Sequence, residues 1–194
     1  MKIIGLTGPS GSGKSSLTPI AKELGFYVID CDALSRRVSQ LPNVLKALEK
    51  AFGGVVENGA LNRKALAQKA FSSKEKTSLL NSIMLPQISL EINKEVLTAK
   101  NMGYRIVLLD APTLFESGED KICSDVIAVL CPKEQRAKRI LERDSLTNEQ
   151  LESRLNASKP DEFYKSKTGY IIYNDGNFED YLASAKKLLS NFIK

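Results

Sequence analysis

The feature that most constrains this chain is a glycine-rich segment near its amino terminus, Gly8 to Ser15, with the spacing G-x-x-x-x-G-K-S. Before it, residues 2–7 form an apolar run that predicts a short buried strand. After it, residues 16–24 carry apolar side chains at helical spacing. A strand, a glycine-rich turn and a helix in this order are the context in which the pattern marks a phosphate-binding loop. A glycine-rich turn that contains Lys and Ser by coincidence is the alternative.

The residue types of this loop suit the binding of a polyphosphate. Glycine adopts backbone angles that other residues avoid, so consecutive N–H groups can converge on one anion. The N-terminal end of the following helix adds positive charge. The ammonium of Lys14 suits the outer phosphates, and the hydroxyl of Ser15 suits Mg²⁺. The predicted phosphate and nucleotide contacts are Gly8, Ser10, Gly11, Ser12, Gly13, Lys14, Ser15 and Ser16.

Composition excludes several kinds of catalytic site. The 194 residues contain no histidine, so neither a Ser-His or Cys-His nucleophile pair nor a histidine metal site can form. Cys31, Cys123 and Cys131 are scattered and fit neither a disulfide framework nor a zinc spacing. A general base must therefore be a carboxylate, Lys, Tyr or Cys, which directs attention to aspartates near the phosphate-binding loop.

Charge and hydropathy limit the partners that we expect. The net charge of +5 suits small anionic substrates. No localised basic face with aromatic residues is visible, so we expect no nucleic-acid partner. No apolar run reaches the length of a membrane span and no export signal is visible, so we expect a cytoplasmic protein without membrane contact. We expect a monomer or a weak homo-oligomer.

The order of the predicted elements indicates an α/β fold of the P-loop NTPase type, with a parallel five-stranded sheet and helices on both faces. The predicted strand segments are 2–7, 26–29, 104–110, 124–130 and 170–173. Residues 1–32 and 104–194 are predicted to form the nucleotide-binding core. Residues 33–103 have a helical texture without a clear strand, and are predicted to form a helical insertion that binds an acceptor substrate.

Four local signals lie within this insertion. Asn58-Gly59 predicts a turn, and Asn62 predicts the N-cap of a helix. The segment from Ser72 to Glu75 fits a capping box. Pro86 is expected either to interrupt or to begin a longer helix.

Three aspartates lie at or just after the carboxyl ends of predicted strands, where ligands of open α/β sheets bind. Asp30 and Asp32 are two residues apart, so they share one face if the chain is extended there. The alternative is that they are surface turn residues, one of which caps the next helix. Asp110 occupies the Walker B position, where a carboxylate holds Mg²⁺ directly or through water. Residues 112–116 are predicted to form a loop over the sheet edge.

Basic residues concentrate between the fourth and fifth predicted strands. Pro132 is predicted to begin one helix, and Thr147 to Gln150 fits a capping box for a second. We interpret residues 133–165, approximately, as a lid that closes cations over phosphates. The alternative for any single arginine is a solvated charged face. The basic residues in question are Arg136, Lys138, Arg139, Arg143, Arg154 and Lys159. An amphipathic helix from Phe178 to the C-terminus is expected to close the fold.

Further motifs follow the glycine-rich loop in a fixed order. They are Val28-Ile29-Asp30-Cys31-Asp32 with Arg36, Phe52-Gly53, Gly59-Ala60-Leu61-Asn62-Arg63, Phe71, Asp110-Ala111-Pro112-Thr113-Leu114-Phe115-Glu116, Gln135 with Arg139 and Arg143, and Asn174-Asp175-Gly176. Over nearly the whole chain this series resembles the dephospho-coenzyme A (dephospho-CoA) kinases. Asp-x-Asp followed by Pro-x-Leu-Phe-Glu is far more selective than the loop alone. Leu85 and Ser158 depart from the His and Gln usual in the family.

The resemblance implies that the γ-phosphoryl group of ATP, with Mg²⁺, is transferred to the ribose 3′-hydroxyl of dephospho-CoA. The implied catalytic residues are Asp32, which accepts the hydroxyl proton, and Lys14, Arg139 and Arg143, which neutralise charge. The implied acceptor residues are Asp32, Arg36, Leu114, Phe115 and Glu116. Ser15 and Asp110 are the implied metal residues, and Asn174 is expected near the adenine.

Two other functions stay open at this point. A kinase for another small hydroxyl or nucleotide acceptor shares every donor residue, and Leu85 and Ser158 leave room for it. A nucleotide-binding switch is the second. GTPase switches carry Asn-Lys-x-Asp for guanine, whereas Asn93-Lys94-Glu95-Val96 lacks the aspartate and falls in a predicted helix.

Overall fold

A five-stranded sheet lies at the centre of the larger part of the fold. The computed structural model describes residues 1–144 and 146–193. The strands within these residues are β1 Lys2–Thr7, β2 Tyr27–Asp30, β3 Val56–Glu57, β4 Ala60–Leu61, β5 Ile106–Asp110, β6 Asp125–Leu130 and β7 Tyr170–Tyr173. The main sheet has the order β2-β5-β1-β6-β7. β1 runs parallel to both β5 and β6, and β6 runs parallel to β7.

Helices connect these strands. Those in the described residues are α1 Leu17–Glu23, α2 Cys31–Val38, α3 Pro42–Phe52, α4 Arg63–Ala70, α5 Lys74–Asn101, α6 Leu114–Ser117, α7 Lys133–Arg143, α8 Asn148–Asn156, α9 Asp161–Lys167 and α10 Phe178–Asn191, with 3₁₀ turns at Lys14–Ser16 and Glu119–Ile122. The predicted parallel sheet with flanking helices is confirmed. Ser145 of the predicted lid and Lys194 of the predicted closing helix lie outside the described residues.

The chain divides into two compact units, Met1–Ile29 with Ala99–Lys194, and Asp30–Thr98. In the first unit, α1 and α10 pack against the sheet and cover its apolar side chains. The sequences of β1 and β5 are almost entirely apolar because parallel strands in such a sheet are buried on both faces. The fully buried members of this core include Ile4, Leu6, Leu17, Leu108, Ile127 and Leu189.

The second unit is mainly helical, but the expectation that it contains no strand is wrong. β3 and β4 form an antiparallel hairpin around the predicted turn, where Asn58 and Gly59 both have positive φ. The carboxylate of Glu49 accepts hydrogen bonds from the backbone of residues 54–56 and so holds the chain that enters the hairpin. Strands of two residues are too short to produce a periodic pattern, which is why the sequence predicted only the turn.

Two further details of this unit differ from expectation. α5 runs through Pro86 without a break. Pro86 and Ser82 are both exposed, so water can bind the Ser82 carbonyl that proline leaves without a helical donor. The predicted capping box is also wrong in register, because the hydroxyl of Ser73 accepts from the N–H of Lys76 while that of Ser72 donates to Lys69. The predicted cap of α4 by Asn62 is confirmed.

None of the helices within residues 1–144 and 146–193 combines the length and the apolar character needed to cross a bilayer.

Candidate nucleotide-binding and active site

The predicted phosphate-binding loop joins β1 to α1. Gly8, Gly11 and Gly13 have φ of 138°, 78° and 99°, angles that side-chain-bearing residues rarely adopt. A Cβ atom at Gly8 would also lie 2.2 Å from the backbone oxygen of Val129 in β6. The conformational reason for these glycines is therefore confirmed, and at Gly8 the adjacent strand leaves no room for any side chain.

Lys14 folds back across the loop. Its ammonium Nζ donates to the carbonyl oxygen of Gly8 at 2.6 Å and to that of Pro9 at 3.3 Å. Lys14 begins the 3₁₀ turn that leads into α1, and the Ser15 side chain in that turn is exposed. The loop therefore brings one fixed cation and a helical N-terminus to the same place, as polyphosphate binding requires.

Side chains from later in the sequence hold the backbone of this loop. Nδ2 of the buried Asn174 donates to the carbonyl of Ser12 at 2.9 Å, and the hydroxyl of Tyr181 donates to the carbonyl of Gly13 at 2.8 Å. Asn174 was expected near the adenine, and its side chain lies against the loop. Tyr181 was missed because a tyrosine at an inward position of an amphipathic helix carries no functional signal in the sequence.

Arg139 lies in the same cluster. Its guanidinium donates to Oδ1 of Asn174 at 3.1 Å, to Sγ of Cys131 at 3.2 Å and to the Ser12 carbonyl at 3.5 Å. Burial raises the pKa of the Cys131 thiol, and the nearby Arg139 charge opposes this only in part. The thiol is therefore a neutral partner, and Arg139 bridges β6, the phosphate-binding loop and the end of β7.

The residues expected to hold Mg²⁺ lie at the end of β5 and in the 3₁₀ turn that precedes α1. Oδ2 of Asp110 accepts from the Thr18 hydroxyl at 3.4 Å, and Thr18 is one helical turn after Ser15. No group of three or more acidic, Cys or His side chains placed to hold a metal ion occurs in residues 1–144 and 146–193. A hydroxyl and one carboxylate fit Mg²⁺, which commonly keeps water and substrate phosphate as its other ligands.

Asp30, the last residue of β2, and Asp32, in the first turn of α2, differ in their surroundings. α2 begins at Cys31, so the chain is not extended from Asp30 to Asp32, and the alternative that one of these aspartates caps the next helix is confirmed. Asp30 is the N-cap, and its carboxylate accepts from the N–H of Ala33 at 2.9 Å. Asp32 lies exposed in the first turn, and its carboxylate pairs with none of the described residues. Arg36 lies in the last turn of α2 and is exposed.

Arg143 is held at the end of α7 by an aspartate that sequence analysis did not single out. Its Nε and Nη2 donate to the two carboxylate oxygens of Asp144 at 3.0 and 2.8 Å, and Arg154 donates to Oδ2 at 2.6 Å. The hydrogen bonds from Arg143 are the main reason that the pKa of Asp144 is lowered. One carboxylate thus binds two arginines of the predicted lid. The capping box of Thr147 and Gln150, which begins α8, is confirmed.

Two other positions in the predicted lid lie close to the phosphate-binding loop. The backbone N–H of Ser10 donates to the hydroxyl of Ser158 at 3.4 Å. Arg136 is buried, with Nε and Nη1 unpaired by the residues that the structure describes, so a solvated charged face does not describe this residue. A Cβ atom at Gly11 would lie 2.9 Å from the Arg136 carbonyl, which shows how closely α7 approaches the loop.

Residues 112–116 are only partly a loop, because α6 begins at Leu114. The Leu114 side chain is fully buried, and it fills the space beside Gly5. The rings of Phe115 and Phe163 meet edge to face with centroids 5.4 Å apart. Glu116 is exposed. Of the three predicted acceptor residues in this segment, Glu116 alone presents an exposed side chain.

The comparisons with known proteins agree with this geometry. The family model described as dephospho-CoA kinase matches residues 2–180. A dephospho-CoA kinase of Corynebacterium glutamicum is 34% identical, covering 98% of this chain and 96% of that protein. The solved structure of TT1252 from Thermus thermophilus is 30% identical with a TM-score of 0.85, covering 98% of this chain and 97% of that one. The dephospho-CoA kinase from Campylobacter jejuni is 26% identical with a TM-score of 0.74, covering 99% and 98%. This chain belongs to the dephospho-CoA kinase family.

Proposed function

We propose that this protein transfers the γ-phosphoryl group of ATP to the ribose 3′-hydroxyl of dephospho-CoA, giving coenzyme A and ADP. The observation that carries the proposal is the phosphate-binding loop with its positive-φ glycines and Lys14, in a chain whose family match covers residues 2–180. We place the reaction in the cytoplasm, and we expect a monomer or a weak homo-oligomer.

The loop binds the β- and γ-phosphates in this proposal. Backbone N–H groups of residues 8–16 supply fixed dipoles, and Lys14 exchanges its contacts with the Gly8 and Pro9 carbonyls for phosphate oxygens. Ser15 and Asp110, the latter directly or through water, would hold Mg²⁺, and the bound ion would neutralise the charge that develops during transfer. Thr18 orients Asp110 through its hydrogen bond.

Asp32 is the general base in this proposal. Phosphoryl transfer to an alcohol requires an acceptor for the hydroxyl proton, and the chain contains no histidine. Asp30 is occupied as the cap of α2, whereas the carboxylate of Asp32 is exposed and has no partner among the described residues. This difference supports Asp32 over its neighbour.

The remaining roles concern the acceptor and the lid. We assign acceptor binding to the unit of residues 30–98, with Arg36 on an acceptor phosphate, and to the segment of Leu114, Phe115 and Glu116. The buried Leu114 acts there by positioning its neighbours. Arg143 stabilises the transferring group as residues 133–165 close and exclude water. Arg139 supports the same charge from its place beside the loop.

The experiment is an ADP-release assay with ATP and Mg²⁺, with and without dephospho-CoA, followed by mass analysis of the product. We expect ADP release to depend on dephospho-CoA and the product to gain one phosphoryl group. Coenzyme A, whose 3′-hydroxyl is already phosphorylated, is the matched control acceptor. ADP release that is equal without acceptor, or faster with another hydroxyl compound in a panel, would contradict the proposal. The same panel of hydroxyl compounds shows whether the acceptor differs from dephospho-CoA in a chain that carries Leu85 and Ser158.

A further inference from the structure

Tyr181 lies in the first turns of α10, and its side chain is 3% exposed. Its ring belongs to the core between the sheet, α1 and α10. Its hydroxyl donates to the carbonyl oxygen of Gly13 at 2.8 Å, and the same oxygen accepts from the backbone N–H of Ser16 at 3.1 Å. Burial is the main cause of a raised pKa at this phenol, so the hydroxyl keeps its proton at neutral pH.

The carbonyl that Tyr181 binds belongs to the peptide that joins Gly13 to Lys14. In a trans peptide the C=O and the N–H point in opposite directions, and no cis peptide bond occurs in the described residues. A donor that fixes the Gly13 carbonyl toward α10 therefore fixes the Lys14 N–H toward the opposite side, away from α10.

The preceding peptide is held in the same way. Nδ2 of Asn174 donates to the Ser12 carbonyl at 2.9 Å, which fixes the direction of the Gly13 N–H. Two consecutive carbonyls are thus bound from outside the loop. Consecutive N–H groups with a common direction form the concave nest that binds phosphate anions.

We propose that Tyr181 is a positioning residue for the triphosphate: its hydroxyl holds the Gly13–Lys14 peptide so that the Lys14 N–H faces the nucleotide phosphates. The inference rests on the proposed function because it takes ATP as the ligand of the loop. It adds a residue from α10, outside the motifs that carry the family resemblance.

The test is Tyr181→Phe, which keeps the ring in the core and removes only the hydroxyl. Loss of one hydrogen bond to the loop predicts a rise of roughly 3- to 10-fold in the KM for ATP and in the Kd of a fluorescent ATP analogue. The KM for dephospho-CoA stays unchanged. The control is Tyr104→Phe, which removes a hydroxyl from a half-buried tyrosine in the segment before β5 and leaves all constants unchanged.

Thermal unfolding of both variants shows that binding is measured on folded protein. An unchanged KM and Kd for Tyr181→Phe would overturn the inference. Equal changes in the constants of both substrates, together with a lower Tm, would also overturn it, because they indicate a structural role alone. If the wild type binds the ATP analogue but does not use dephospho-CoA, the proposed acceptor is wrong, and the Kd comparison still decides the role of Tyr181.

Discussion

Nδ2 of Asn174 occupies the space into which a side chain at Gly13 would extend. A Cβ atom built at Gly13 lies 2.2 Å from that nitrogen, and Gly13 has a φ of 99°. The close approach allows Asn174 to donate to the Ser12 carbonyl, at 2.9 Å. Glycine at this position is therefore required by two independent conditions, one of backbone conformation and one of packing.

Gly13→Ala tests this relationship, and Gly25→Ala is its matched control. Both glycines have positive φ, but a Cβ at Gly25 meets nothing within 4 Å. The control should lose stability by about 1–2 kcal/mol from backbone strain alone and keep its ATP affinity. Gly13→Ala should lose more stability and most of its ATP affinity, because Asn174 is displaced. Thermal unfolding and titration with an ATP analogue measure both quantities. Equal losses of stability and equal ATP affinity in the two variants would show that the contact between Gly13 and Asn174 affects neither quantity.

Lys14→Ala should lower kcat by at least about 100-fold and also weaken ATP binding. The ammonium that now bonds to the Gly8 and Pro9 carbonyls is the one proposed to move to the outer phosphates. Steady-state kinetics and direct ATP titration separate the two effects. Lys22→Ala removes the same charge from the last turn of α1 and serves as the control. Full activity of Lys14→Ala would exclude the proposed phosphate contact.

Asp32→Asn should lower kcat by roughly 10²–10⁴-fold with little change in ATP affinity, because the amide cannot accept the hydroxyl proton. Asp30→Asn is the matched control. Asparagine is as good an N-cap as aspartate, so the hydrogen bond to Ala33 and the start of α2 should persist. Single-turnover kinetics would report the chemical step. Wild-type turnover by Asp32→Asn, with chemistry rate-limiting, would refute its role as the base.

Arg143→Ala should slow phosphoryl transfer more than it weakens acceptor binding. A reduction of about 100-fold in kcat is the scale expected for a cation that stabilises the transition state. Asp144 should keep its place in the variant because Arg154 still donates to it. Lys186→Ala, exposed on α10, controls for the loss of one positive charge. A higher acceptor KM with an unchanged kcat would instead make Arg143 a ground-state binding residue.

The pH dependence of stability should reveal the role of Glu49. Backbone hydrogen bonds from residues 54–56, that from Gly54 first, lower the pKa of this carboxyl from its ordinary value of 4.5. A lowered folded-state pKa contributes stability that is fully present above pH 4.5 and is lost as the pH falls through the folded-state value. Glu49→Gln should therefore have a lower Tm than the wild type at pH 7, and the difference should shrink below pH 4.5.

Glu23→Gln, an exposed carboxylate near the end of α1, is the control for this measurement. Glu23→Gln should have the same Tm as the wild type at pH 7 and at pH 3. A difference between wild type and Glu49→Gln that stays constant from pH 7 to pH 3 would show that the charge of Glu49 does not act through these hydrogen bonds.

Local signals in the sequence predicted local structure well. The Asn62 cap, the Thr147 capping box and the helix that begins after Pro132 were all read from neighbouring residues, and all are present. Other local signals were wrong: the cap of α5 is Ser73 and not Ser72, and the short strands β3 and β4 gave no pattern. Pro86 was expected to end or begin a helix, and an exposed position allows the helix to continue through it.

The sequence by itself determined the phosphate-binding loop, the order along the chain of the five strands of the main sheet and the restriction of the general base by the absence of histidine. These features depend on residue types and on short spacings. Only the tertiary structure decided that Asn174 and Tyr181 hold the Ser12 and Gly13 carbonyls, across 162 and 168 positions of sequence. Which of many inward-facing side chains meets a given carbonyl depends on how α10 and β7 pack against the loop, and no short sequence pattern encodes that packing.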